Sequence, residues 1–234
     1  MPLLQELTWS DLGGARPTLV VPVGSVEQHG AHLPLHTDVR IAEAVARLVL
    51  AREPALVVAP AVAYGAAGEH EGFAGTVSIG HEALRLLLVE LGRSACRWAG
   101  RLVLLNGHGG NVPTLVSAVR LLRHEGRDAA WIPCAAPGFD ADAHAGRTET
   151  SLMLALEPDA VRAERAVAGN TAPLRDLLPA MRDGGVAAVS ASGVLGDPAG
   201  ASAQEGRALL AAIADAVVAA IRGWDPTENG RLRS

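Results

Sequence analysis

An α/β fold built on a mostly parallel sheet is what this sequence predicts, on three observations. Short β-branched apolar runs alternate along the chain with longer segments whose apolar residues recur at helical spacing. Strand, crossover helix and strand in repetition imply parallel pairing with helices on both faces. Clusters of His, Asp and Glu follow the runs, and ligands in open parallel sheets bind outside the carboxyl ends of the strands.

Taken in order, residues 18–23 are a short apolar run and read as the first buried strand. Thr37 is placed to cap the following helix, where Ile41, Val45, Leu48 and Val49 share a face. Residues 56–59 are the second strand candidate. A glycine-rich loop, 64–80, then carries Glu69, His70, Glu71 and Phe73. Leu84, Leu87, Leu88 and Leu91 stripe the next helix, and 101–105 reads as the third strand, ending in NGHGGN. Leu115, Ala118, Val119 and Leu122 stripe another helix, and 129–133 reads as the fourth strand.

The last third is less regular. Residues 148–156 read as a short helix stopped by Pro158, 173–181 as another, and 186–190 as a short strand. Ser202 and Glu205 have capping-box spacing before a helix striped by Leu209, Ile213 and Val217. The polar tail, 225–234, is expected to fray. No internal repeat or linker is visible, so one domain over 1–234 is expected.

Hydrophobic residues are 49% of the 234 and charged residues 19%, which argues against disorder. A net charge of −5 argues against nucleic acid or an anionic membrane as partner. Cys96 and Cys134 cannot make a disulfide framework. The N-terminus lacks a basic segment before an apolar core, and the apolar C-terminal run is broken by Asp215. A cytoplasmic protein is expected.

The stretch 21–38, VPVGSVEQHGAHLPLHTD, concentrates chemistry in Glu27, His29, His32, His36 and Asp38. Glu27 and His29 share a face of an extended segment, and Asp38 starts a helix beyond the turn at Pro34. Carboxylates and an imidazole converging there make a divalent-metal site. Glu69 and His70 follow the second strand, His108 the third, and His144 with Glu149 the fourth. His81 and His124 fall on helices and read as surface imidazoles. NGHGGN could also be an anion cradle, but it matches neither G-x-x-x-x-G-K-[ST] nor G-x-G-x-x-G. Asn111 reads as a helix cap, Asp140 and Asp142 as loop or capping residues, and Cys134 as a buried thiol.

Together GSVEQHGAHLPLHTD, NGHGGN and HAGRTETS resemble the creatininase family of metal-dependent amidohydrolases. The match runs from about residue 20 to the last helix. It sharpens, through YGAAGEHEGFAGTVSIG, GGVAAVS and GVLGDP, toward a branch that releases a modified C-terminal dipeptide from a short precursor peptide. The resemblance implies a three-layer creatininase-like fold with helices flanking the sheet, and a homo-oligomer, hexameric or larger. It also implies two divalent ions: Glu27, Asp38 and His108 at one, His29, Asp38 and Glu149 at the other, with Asp38 bridging. Creatininase itself has a glutamate two residues after the histidine of NGH. That position is Gly110 here, and the carboxylate is taken from the ETS segment, as Glu149. His36 departs from the family pattern and is expected to point outward.

Such a ligand set suits Zn, with Fe(II) or Mn at one site. Paired ions bring the pKa of a shared water down from ~15.7 toward neutrality, for attack on an amide carbonyl. His144 is expected to pass the proton to the leaving amine, with a pKa near ~6.5, and Glu149 joins it as a catalytic residue. Loop residues Glu69, His70 and Phe73 are expected to line the substrate channel without binding metal. Other readings are hydrolysis of a small cyclic or linear amide, a nucleotide-binding module built on NGHGGN, and a non-catalytic metal scaffold.

Overall fold

The computed structural model describes residues 3–136, 139 and 142–233. Strands β1 (Thr18–Val23), β2 (Val57–Val58), β3 (Arg101–Asn106) and β4 (Ala129–Pro133) form one parallel sheet in the order β2-β1-β3-β4. Helices α1 (Thr37–Arg52), α2 (Gly80–Ala95), α3 (Val112–His124), α4 (Arg147–Leu156), α5 (Leu174–Gly184) and α6 (Ala203–Gly223) surround it.

Alternate residues of each strand feed opposite cores. Val20, Val103, Leu105 and Ile132 pack on Ile41 and Val45 of α1, Leu152 of α4 and Ile213 of α6. Leu19, Val21, Leu102, Leu104 and Trp131 pack on Leu84 and Leu88 of α2 and Leu115 and Val119 of α3. Both faces are dry, so the strands are continuously apolar instead of alternating. Each buried Leu, Ile or Val of these cores stabilises the fold by about 1.5–3 kcal/mol before entropy is counted. After β1 the chain goes one way to β2, then crosses back to β3 on the other side. The loops leaving β1 and β3 therefore diverge and open a crevice at their carboxyl ends.

Several local expectations change. Thr37 is the first residue of α1 and not its cap; its hydroxyl donates to Pro34 O. Residues 186–190 do not form a strand: Val186–Ala188 is a 3-10 turn that follows Gly185, whose φ of +66° reverses the chain after α5, and it packs on α5 and on the turn at Gly68–His70. Ser202 caps α6 by accepting from Glu205 N, but Glu205 does not return the bond; its carboxylate goes to Arg147 and Ser151. The tail was expected to fray, and residues 225–233 lie packed against the sheet. Leu232 is fully buried, its N–H donates to Trp131 O, and the Trp131 N–H donates to Gly230 O. One apolar residue and two backbone bonds tie that segment to the edge of β4. No described helix is long and apolar enough to cross a membrane.

Candidate metal centre

Beyond β1 the chain enters the crevice through Gly24, where a β-carbon would meet the backbone of Val39 at 2.7 Å. That close approach sets the β1 exit against the first turn of α1, which carries Asp38. Glu27 N–H donates to Leu35 O at 2.9 Å and closes the loop between them. His29 Nδ1 bonds Glu27 O at 3.1 Å, so its Nε2 faces Asp38 Oδ1 at 3.0 Å and Glu149 Oε2 at 3.8 Å. Asp38, in the first turn of α1, also has the positive end of the helix behind it.

From β3, Asn106 Nδ2 donates to His108 O at 2.6 Å and fixes the next contributor. His108 Nδ1 is 3.1 Å from Glu27 Oε2 and 3.3 Å from Asp38 Oδ2. Glu149, in the first turn of α4, is held by the Ala145 N–H at 2.6 Å. His144 Nε2 lies 2.8 Å from Gln28 O, which leaves Nδ1 facing Glu27 Oε1 at 3.8 Å. Three groups of ligand atoms result, each within 4.8 Å: Glu27, Asp38 and His108; His29, Asp38 and Glu149; Glu27, His29 and His144.

The donors fit a divalent cation. Glu27 Oε1 and Oε2 and Asp38 Oδ2 are buried and accept no hydrogen bond of good geometry among the described residues. His108 comes within ion-pair distance of two of them, at a poor angle. Unsatisfied buried carboxylate oxygens cost several kcal/mol each, on the order of the penalty a bound cation removes.

The electrostatics point the same way. Burial alone would lower the His29 pKa, but Asp38, Glu149 and Glu27 outweigh it and lift the imidazole to about 10. His108 is likewise pushed down by burial and carried well above its ordinary value by Glu27, Asp38 and Glu69. Burial raises Glu149 to about 7, against the pull of His29. Burial, with His29 and His70 nearby, holds His144 well below its ordinary value. The metal-free site is therefore protonated on His29 and His108 at neutral pH, and a metal must displace those protons. Filling both positions at pH 7 is expected to release about two protons, one from each imidazole, with a further fraction from Glu149, seen as a buffer-dependent heat in calorimetry. Because the competing proton on His29 leaves only near pH 10, apparent affinity is expected to climb from pH 7 toward 10. A flat affinity over that range would refute the assignment.

A cavity of about 270 Å³ opens above these groups, lined on one side by Glu27, Asp38, His108, His144 and Glu149 and on another by Leu174, Leu178 and Met181. Glu69 and His70 also line it, whereas Phe73 packs behind it against Leu177 and Val186. His70 is buried, with Nε2 3.3 Å from Glu27 Oε1, and belongs to none of the three groups. His32 bonds Thr150 Oγ1 at 2.9 Å, away from the acids, and His36 lies on the outside, 3.6 Å from Glu157. Asn111 is no side-chain cap: its amide ties Ala66 N to Gly24 O. Asp142 accepts from the Thr148 N–H at 3.1 Å and from Arg147 N at the start of α4, while Asp140 lies outside the described residues. Cys134 is raised by burial, then by Asp38, and stays a thiol.

Sequence reasoning did not single out Gln28. Its Nε2 lies 2.9 Å from His70 Nδ1 and 3.1 Å from Gly193 O, and its Oε1 accepts from Gly30 N. Strand alternation would turn residue 28 away from 27 and 29. The chain has left the sheet by then, so all three side chains converge. The Gly30 in QHG was the available signal, since its φ of +64° marks a turn.

The family model described as "Creatininase: Creatinine amidohydrolase" matches residues 5–221. A mycofactocin precursor peptide peptidase of Mycolicibacterium smegmatis is 59% identical over 221 residues, covering 92% of this chain and 89% of its own. A solved structure titled "Creatininase Mn" superposes with TM-score 0.79 at 31% identity, covering 96% of this chain and 99% of that one. A variant creatininase described as Zn–Zn type gives TM-score 0.79 at 32% identity, with 96% and 98% covered. On the strength of the family match, the fold and the clustered acids and imidazoles at the sheet's carboxyl end, this chain belongs to the creatininase family of amide hydrolases.

Proposed function

We propose that the chain is a two-metal peptidase that releases the modified C-terminal dipeptide of the mycofactocin precursor peptide. The observation that carries the metal part is the sharing of Asp38 between two ligand groups, with Glu27 and His108 on one side and His29 and Glu149 on the other. The substrate part is supported by the 59% identical relative that bears that name. Zn is the expected metal, with Fe(II) or Mn at one position, since mixed imidazole and carboxylate donors accept all of them.

Bound there, a pair of divalent ions would supply an activated water and polarise the scissile carbonyl. The chain's own residues do the rest. His144, held neutral, offers Nδ1 to take a proton from the attacking water and to return it to the leaving amine nitrogen. Glu149, at the cavity and near neutrality in its pKa, is the second acid–base group in reach. Leu174, Leu178 and Met181 exclude water from one wall and accept apolar substrate surface.

The small-amide reading is the alternative, favoured by the 33% identical creatinine amidohydrolase of Pseudomonas putida. A flat ring amide calls for aromatic walls, and the described lining of this cavity contains no Trp, Tyr or Phe. A homo-oligomer belongs to the same proposal.

The enzyme, supplied anaerobically with Zn(II) and Fe(II), should be offered creatinine and the modified precursor peptide in parallel. Appearance of a dipeptide-derived amine by mass spectrometry is expected. Turnover of creatinine with the peptide left intact would overturn the peptidase reading.

A further inference from the structure

Glu69 lies on the 3-10 turn Gly68–His70, and its carboxylate is turned inward toward His108. Glu69 Oε1 is 3.4 Å from His108 Nε2, and the same nitrogen bonds Ala66 O at 3.2 Å. The opposite nitrogen, Nδ1, faces Glu27 Oε2 at 3.1 Å and Asp38 Oδ2 at 3.3 Å. An ionised carboxylate and a backbone carbonyl are acceptors only. Nε2 therefore has two acceptors in place for its N–H, and Nδ1 is the ring nitrogen turned toward Glu27 and Asp38.

The contact is built into the fold from two sides. A β-carbon at Gly110 would run into Glu69 Oε1 and His108 Nε2, and would stand 2.7 Å from Ala66 O. A residue without a side chain at 110 is what allows the acid, the ring and the carbonyl to meet. Behind the turn, Gly185 comes so close that its β-carbon would lie 2.6 Å from Glu69 O. The backbone leading into the turn is pinned as well: Ala66 N–H donates to Asn111 Oδ1 at 2.9 Å and Ala67 N–H to Ser78 Oγ at 3.0 Å.

We propose that Glu69 is a positioning residue for His108, acting through that ring and not as a metal ligand. It holds the ring so that Nδ1 is presented to the ion shared with Glu27 and Asp38, and its charge makes that nitrogen a better donor. Carboxylates placed behind ligating histidines fix ring orientation and raise ligand basicity, and losing one costs about 10–100-fold in metal affinity. Ala66 O fixes the same tautomer but carries no charge, so it cannot supply the second effect. The inference rests on the two-ion reading above.

The test is titration of Zn(II) into the metal-free protein against a competing chelator, for wild type, Glu69→Ala and Glu69→Gln. In Glu69→Ala one of the two ions should bind about 10–100-fold more weakly while the other stays within about threefold. Glu69→Gln, which keeps an acceptor but loses the charge, should fall between wild type and Glu69→Ala. Wild-type protein that takes two ions, with both bound unchanged by Glu69→Ala, would overturn the positioning role alone. Equal weakening of both ions would also overturn it, since that is what a general structural role produces. Wild-type protein that takes only one ion would overturn the two-ion reading itself.

Discussion

Asp38→Ala is expected to leave the protein with neither ion and with less than about 10⁻⁴ of its amide-hydrolase activity, beyond the ~10²–10⁴ that proton transfer alone contributes. The reason is its place in two ligand groups at once: Oδ1 is 3.0 Å from His29 Nε2 and Oδ2 is 3.3 Å from His108 Nδ1. Removing any other donor of the proposed set would strip one ion and leave three donors at the other. Removing Asp38 also separates the two buried imidazoles from the acid that lies between them, leaving His108 to Glu27 and Glu69 and His29 to the more distant Glu149. Asp38→Asn, which keeps the shape and loses the charge, should lose the ions nearly as completely, because charge holds a bridged pair together. Elemental analysis of protein purified without chelator decides the matter. Two ions per chain in Asp38→Ala would end the bridging assignment.

How much of this was legible in the sequence depends on which forces set each feature. β1 and β4 were readable to the residue because buried parallel strands are continuous apolar runs. Residues 186–190 were misread because GGVAAVS has strand-like composition. Whether it pairs depends on a sheet edge being near, which sequence does not state. The packing of the tail was not legible for the converse reason: Leu232 looks like a lone apolar residue among polar ones, yet it is buried in the core that holds Ile132. Glu27, His29, Asp38, His108 and Glu149 were legible as a constellation because each follows a strand or opens a helix. Gln28 and the contact of Glu69 with His108 were not, since both follow from loop geometry fixed by contacts with Gly193, Gly110 and Gly185, far apart in sequence.

His144→Ala is expected to lower kcat by about 10²–10⁴-fold while both ions stay bound. The sequence alone suggested an acid titrating near its ordinary value. The folded environment changes that role, because burial and the neighbouring His29 and His70 push the imidazole well below it. A neutral ring whose Nε2 donates to Gln28 O at 2.8 Å carries its lone pair on Nδ1, on the side of Glu27. That nitrogen can accept a proton first and deliver it afterwards, in the order that amide hydrolysis requires. The competing role is visible in the same site, since His144 also falls in a group with Glu27 and His29 that could hold an ion. The two roles separate cleanly. A ligand lost to alanine would take metal with it, and added Zn(II) would then restore part of the activity. A proton carrier lost to alanine leaves the metal in place, and added Zn(II) does nothing. His144→Gln sharpens the comparison, because an amide can keep the bond to Gln28 O yet cannot carry a proton at neutral pH. Metal content of two per chain together with a slow kcat in both variants is the expected result; metal loss in His144→Ala, or activity within a few-fold of wild type, would remove His144 from proton transfer.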